Sequence, residues 1–171
     1  TPDSLFIRLS NIDTWGILFY RGAIPSVIIL LGLILFYKKD LIRVTLGMGL
    51  AGIFYALSFS ITNITFIVSI QNTNVANTLV MIATAPMLSA ILGAIFLKEN
   101  PDKKTWVAIL ITFLAAVYIF YDSLKLGNFF GDLFGFITAL GLAIGANIIR
   151  SARNKDLVPA AVIGKFLVAV F

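Results

Sequence analysis

The sequence predicts an all-α fold, a polytopic transmembrane helix bundle. Three observations carry that prediction. The 171 residues are 60% hydrophobic and only 12% charged, with a mean hydropathy of +1.01, whereas soluble domains are about a quarter charged. Five apolar runs reach or approach the ~20 residues that a helix needs to cross a ~30 Å hydrocarbon core, and a sixth is cut off by the end of the chain. Lysine and arginine gather in alternate connections between those runs. The same composition excludes an ordinary soluble domain, whose polar surface it cannot supply, and excludes disorder.

The runs follow one another closely. The first extends from Trp15 to Tyr37, the second from Val44 to Phe66, and the third from Val75 to Leu97. The fourth, shorter, covers Trp106 to Tyr121, the fifth Phe130 to Ile149, and the sixth starts near Leu157. Trp15, Tyr37, Trp106 and Tyr121 stand where aromatic residues anchor at headgroups. Pro101 and Gly127 break the chain between spans. Ser4 to Leu9 reads as the tail of a further helix. Every connection is short, so the spans form one unit.

Nine of the thirteen Lys and Arg lie in the loops 38–43, 98–105 and 150–156, while the acids divide evenly between the two sides. A bias confined to Lys and Arg is the positive-inside signal. It places those three loops in the cytoplasm and the chain in the cell membrane. It also accounts for the net charge of +5 without nucleic acid. The chain has no His and no Cys, which removes imidazole bases, thiolates, disulfides and nearly all zinc sites. No acid is expected deep within a span. An intramembrane enzyme therefore lacks its general base, and neither a cofactor nor a metal is implied.

Several residues are candidates for function. Arg21 lies two turns into the first span and Lys165 within the sixth. Each either serves a pathway or snorkels to the boundary. Asn63, Thr65, Asn74, Asn77 and Met81 belong to a polar cluster straddling the second and third spans. Asn74, Asn77 or Thr78, and Met81 recur at helical spacing on one face. Such a face lines a path for a small amphipathic solute or hydrogen-bonds neighbouring helices. Pro86, in the middle of the third span, is expected to kink it. Glu99 is either solvated or paired with Lys103 or Lys104. Asn147 caps, bonds a neighbouring helix or lines the path. Gly47 with Ala51, Ala90 with Ala94, Gly131 with Gly135, and Gly141 with Gly145 form small-residue packing faces. The sequon Asn63-Ile64-Thr65 lies against the membrane and is discounted.

Residues 7–25 (IRLSNIDTWGILFYRGAIP) and 149–168 (IRSARNKDLVPAAVIGKFLV) share Ile-Arg, a polar linker with an Asp, and an apolar helix holding one cation. They stand five spans apart and so cross in opposite directions, the signature of an inverted repeat.

Residues 73–99 (TNVANTLVMIATAPMLSAILGAIFLKE) resemble the fourth helix of the EamA-type branch of the drug/metabolite transporter superfamily, with its central Pro86 and terminal Leu97-Lys98-Glu99. Residues 7–22 resemble that family's first connection and second helix with its arginine, and residues 131–156 the start of its second repeat. The resemblance implies an inverted five-helix repeat, with residues 1–122 forming the first repeat, short of most of one helix, and residues 123–171 the truncated start of the second. It implies a membrane transporter that exports a small organic metabolite or drug by alternating access. Asn63, Thr65, Asn74, Asn77 and Met81 would line its path, Arg21, Glu99 and Lys165 would set charge interactions at its mouths, and Pro86 would bend it. The partners implied are the lipid bilayer and the solute, with a homodimer left open. The competing reading is a non-transporting membrane subunit or scaffold.

Overall fold

A computed structural model describes residue 7, residues 13–126 and residues 129–170. Among these, all regular structure is helical: α1 (Thr14–Tyr37), a 3-10 turn (Lys38–Asp40), α2 (Leu41–Gly47), α3 (Gly49–Asn72), α4 (Val75–Ile82), α5 (Ala85–Phe96), α6 (Lys103–Leu126), α7 (Phe129–Ser151) and α8 (Val158–Val170). Of the helix tail expected at Ser4 to Leu9, only Ile7 is described, helical and buried. Arg8 and Gly127 lie outside the described residues.

Among the described residues, four stretches are long and apolar enough to cross a membrane: Thr14–Gly47, Gly49–Asn72, Val75–Phe96 and Phe129–Ser151. The chain is a multi-pass membrane protein. Helix α6 holds the fourth predicted span within 24 residues, about 36 Å at ~1.5 Å per residue. Helix α8 is described over 13 residues, about 20 Å by the same rise.

Two spans differ from expectation. The second begins at Gly49 instead of Val44 and continues to Asn72 instead of Phe66. At its start the chain breaks because Gly49 takes a left-handed φ of +56°, and Lys155 Nζ donates to the Met48 carbonyl at 3.2 Å. At its end the polar residues stay helical because their side chains find acceptors: Ser69 on the Gly131 carbonyl at 2.7 Å and Asn72 on the Val68 carbonyl at 2.7 Å. The third span is interrupted just before Pro86, with the turn residues Ala83 and Thr84 still in right-handed backbone. Helix α4 ends at Ile82, Ala83 and Thr84 form a turn, and Pro86 stands in the first turn of α5. There its missing N–H costs no hydrogen bond.

Helix α3 is the centre of the bundle. Its most extensive packing is against α7, and α8 lies on its other side, wedged between α3 and α1. The most apolar windows of α3 and α7 are each 44% buried, against 28% for the first and third spans. The outward faces of α1, α3 and α6 carry exposed Phe, Leu, Ile and Val, as a lipid-facing surface requires. With lipid as apolar as leucine, helices associate through close packing and hydrogen bonds. Helix α7 meets both needs. A Cβ on Gly131 would lie 2.5 Å from the Asn72 carbonyl carbon, one on Gly135 would lie 3.0 Å from Ser69 Oγ, and one on Gly141 would lie 2.2 Å from Thr62 Oγ1. Gly145 has more room, its nearest neighbour being a Tyr55 ring carbon at 3.6 Å. Gly47, by contrast, has nothing within 4 Å, so it provides no packing face.

The three basic loops meet at one end of the bundle. There the Tyr37 hydroxyl bonds Asp156, Lys155 reaches Met48, and Arg150 pairs with Glu99. At the opposite end Thr14 bonds Gln71, and Thr73 bonds Asp132. The spans therefore alternate in direction.

Candidate functional site

A polar seam runs along the contact between α3 and α7. Ser58 Oγ donates to the Gly141 carbonyl at 2.8 Å, and Thr65 Oγ1 lies 2.8 Å from Thr138 Oγ1. Further along, Ser69 Oγ lies 2.8 Å from Thr78 Oγ1 on α4. The seam ends on Asp132, whose side chain has no exposed surface. Thr73 Oγ1 donates to its Oδ1 at 2.5 Å and Asn77 Nδ2 to its Oδ2 at 3.3 Å. Asp132 stands in the first turn of α7, at the end of its span, so the expectation that no acid lies deep within a span holds for it, but its burial was not foreseen. Asp132, counted among the loop acids, is sealed inside the first turns of α7. The close approach allowed by Gly131 brings the end of α3 over it, and hydroxyl and amide donors replace the water that a buried carboxylate loses.

The predicted residues fall on two faces of α3 and on α4. Thr65 is buried and faces α7. Asn63, two residues earlier and so about 200° around the helix, faces α8. It sits in mid-helix, where its Nδ2 donates to the Phe59 carbonyl at 2.7 Å and its Oδ1 accepts from Lys165 Nζ at 2.6 Å. Lys165 also lies 5.2 Å from the centroid of Phe59, and the Arg21 guanidinium lies 5.7 Å from that of Phe66. Both intramembrane cations are therefore held against α3 by aromatic faces, a favourable use of a desolvated charge. On α4, Asn77 and Met81 turn toward α7, with Met81 fully buried against Gly135. Asn74 is exposed and caps α4, accepting from Ala76 N–H at 3.2 Å.

At the basic end a second polar cluster joins α5 to α7. Beyond α5, Lys98 takes a left-handed φ of 54°. This turn lets the Glu99 N–H reach the Gly93 carbonyl at 3.2 Å and brings its carboxylate onto the Arg150 guanidinium. Gly93 makes the space. A Cβ there would meet Glu99 Oε2 at 3.0 Å, Asn147 Oδ1 at 3.2 Å and Arg150 Nη1 at 3.3 Å. Asn147 Nδ2 donates to the Ser89 carbonyl and hydroxyl, both at 3.1 Å, and to the Ala143 carbonyl at 2.8 Å. Beside this cluster, between α3, α5 and α7, lies an open, largely apolar groove of about 880 Å³, lined by Asn147 and by the exposed Phe54 and Phe96.

The sequence reading passed over Asp132, Thr138 and Arg150 as site residues. An acid set between Phe129-Phe130-Gly131 and Leu133-Phe134-Gly135 was the available signal, since the glycines mark the packed face and Asp132 adjoins it. Among the described residues, no group of three or more His, Cys, Asp and Glu is placed to hold a metal ion.

A sequence profile of the EamA-like transporter family matches residues 5–121. No curated protein and no solved structure gives a match.

Proposed function

Because the chain belongs to the EamA-like transporter family, we propose that it exports a small organic metabolite or drug across the cell membrane by alternating access. The observation that carries this reading is the divided third span. Its two halves, α4 and α5, are separated by the turn at Ala83–Thr84, and each is bonded to α7 by its own group. Asn77 ties α4 to Asp132 at one end, and Glu99, just past α5, pairs with Arg150 at the other. Discontinuous helices around a central site are characteristic of secondary transporters. Two separate fastenings on one partner helix allow one half to release while the other holds.

In this reading the basic loops are cytoplasmic, and α7 and α8 begin a second, inverted repeat. The pair Glu99–Arg150 closes the cytoplasmic mouth. Asn74 and Asn77 border the opposite mouth, Asn63, Thr65 and Met81 support the walls between, and Arg21 and Lys165 set the charge on the α8 side. Pro86 keeps the turn between α4 and α5 from closing into a continuous helix. A scaffold would have no use for a divided span.

Residues 1–171 contain no Cys, so introduced cysteines have no native competitor within this stretch. The full-length protein carrying Glu99→Cys and Arg150→Cys is expected to export solute from loaded cells until a short bis-maleimide joins the two positions, and then to stop. Export that continues at the same rate after complete cross-linking would overturn the mechanism. A full-length protein that moves no solute from a broad metabolite panel would overturn the activity.

A further inference from the structure

The end of the bundle that gathers the basic loops holds an open pocket of about 710 Å³ between α3, the last turn of α7 and the first turns of α8. Three cations line it, Arg150, Arg153 and Lys155, and one acid, Asp156. Asp156 does not neutralise them. Its Oδ1 accepts from the Val158 N–H at 2.9 Å and its Oδ2 from the Tyr37 hydroxyl. Arg150 pairs with Glu99. Lys155 Nζ donates to the Met48 carbonyl at 3.2 Å, which leaves two of its three N–H groups for another acceptor. Arg153 is exposed and makes no hydrogen bond or ion pair among the described residues. The pocket keeps an excess of positive charge even when Glu99 is counted against Arg150.

The walls decide which kind of anion fits. Ile149 and Val158 are exposed apolar residues of the lining, and Leu157 and Ala161 extend that surface at the start of α8. The pocket stands where two membrane helices meet their basic connection, α7 ending at Ser151 and α8 beginning at Val158. That is the depth of the headgroups that flank the hydrocarbon core. A water-soluble anion would leave the apolar wall against water, whereas an acyl chain covers it. Tyr55 of α3 also lines the pocket, and its hydroxyl makes no hydrogen bond among the described residues.

We propose that this pocket binds the headgroup phosphate of an anionic phospholipid from the leaflet beside the basic loops. Arg153 and the remaining N–H groups of Lys155 take the phosphate oxygens, and an acyl chain lies along Ile149, Leu157 and Ala161. Basic pockets between membrane helices recognise anionic headgroups in this way. The Met48 carbonyl holds Lys155, so one of the two cations is fixed before the lipid arrives. A headgroup carrying an ammonium is disfavoured, because its charge would fall among the cations.

The test captures the full-length protein from mixed micelles holding equal amounts of phosphatidylglycerol and phosphatidylethanolamine with matched acyl chains, and weighs the lipid retained. Wild type is expected to keep phosphatidylglycerol about tenfold over phosphatidylethanolamine. Arg153→Gln is expected to lower that preference about fivefold, the effect of one cation beside an anionic headgroup. Lys103→Gln removes a cation at the start of α6, outside the pocket, and is expected to keep the preference. Should Arg153→Gln not elute as wild type does, Lys155→Gln takes its place with the same expected loss. Equal retention of the two lipids by wild type, or an undiminished preference in the pocket variant, overturns the proposal. So does an equal loss in Lys103→Gln, which would show that the basic end attracts anionic lipid without a site. Release of phosphatidylglycerol by millimolar inorganic phosphate also overturns it and assigns the pocket to a soluble anion.

Discussion

The Thr73 hydroxyl lies 2.5 Å from Oδ1 of Asp132, joining the residue that ends α3 to a carboxylate without exposed surface in α7. Asn77, on α4, reaches the other oxygen of the same carboxylate. One side chain thus fastens three helices at the end of the bundle opposite the basic loops. Asp132→Leu would remove the acceptor of the buried Thr73 hydroxyl and of the half-buried Asn77 amide, a loss of about 1–3 kcal/mol. Asp132→Asn retains an acceptor for Thr73 and should cost less. Thermal unfolding of the full-length protein in detergent checks the order. A leucine variant as stable as wild type would show that the three helices are held by packing alone.

The glycines of α7 separate by what faces them. At Gly131 the obstacle is backbone, with Asn72 carbonyl carbon 2.5 Å from an added Cβ. Gly131→Ala must therefore push α3 away, and overpacking of this kind costs about 1–3 kcal/mol. Gly145→Ala meets only ordinary contact at 3.6 Å and should gain about 0.5–1 kcal/mol from helix propensity. The opposite signs of the two alanine variants, read in the same unfolding experiment, distinguish close approach from mere helix content.

The sequence shows the spans clearly because lipid imposes a length and an apolar composition that each run displays by itself. The first, fifth and sixth runs begin within one residue of their helices. The second was displaced because hydropathy discounts Ser69, Gln71 and Asn72, whose helical state depends on Gly131 and on Thr14 elsewhere in the chain. Pro86 announced an interruption, but its form, two helices with a turn between them, came from where the proline fell in the first turn of α5. Asp132 was illegible for a related reason. Three residues into its run it looks like a boundary acid, and only the docking of α3 onto Gly131 encloses it. The pairing of Glu99 with Arg150, and the direction of Asn147, likewise depend on how α5 lies on α7.

Asp102 precedes α6 in the exposed connection and accepts on Oδ1 from the Thr105 hydroxyl at 2.5 Å and from the Thr105 N–H at 2.8 Å. These bonds, the hydroxyl first, hold its carboxyl below the usual carboxylate range. The folded protein consequently binds that proton less readily than the unfolded chain does. The cap's contribution is complete above the ordinary carboxylate value of about 4 and is lost as pH falls through the lowered folded value. The stability difference between wild type and Asp102→Ala should be present at neutral pH and vanish in strong acid. A difference that stays constant across that range would remove the cap as its source.

Lys98 holds a φ of 54°, a conformation that places Cβ close to the following carbonyl and costs roughly 1–2 kcal/mol for an L residue. Glycine adopts it freely. Lys98→Gly should therefore raise thermal stability while keeping the turn that carries Glu99 to Arg150. Lys98→Val, β-branched at the same φ, should lower stability and loosen that pair. The two effects can be separated by cross-linking. In the Glu99→Cys, Arg150→Cys background, the glycine variant should cross-link with bis-maleimide as fast as its parent and the valine variant more slowly. Equal rates in all three would mean that the loop beyond α5 is not positioned by the left-handed turn.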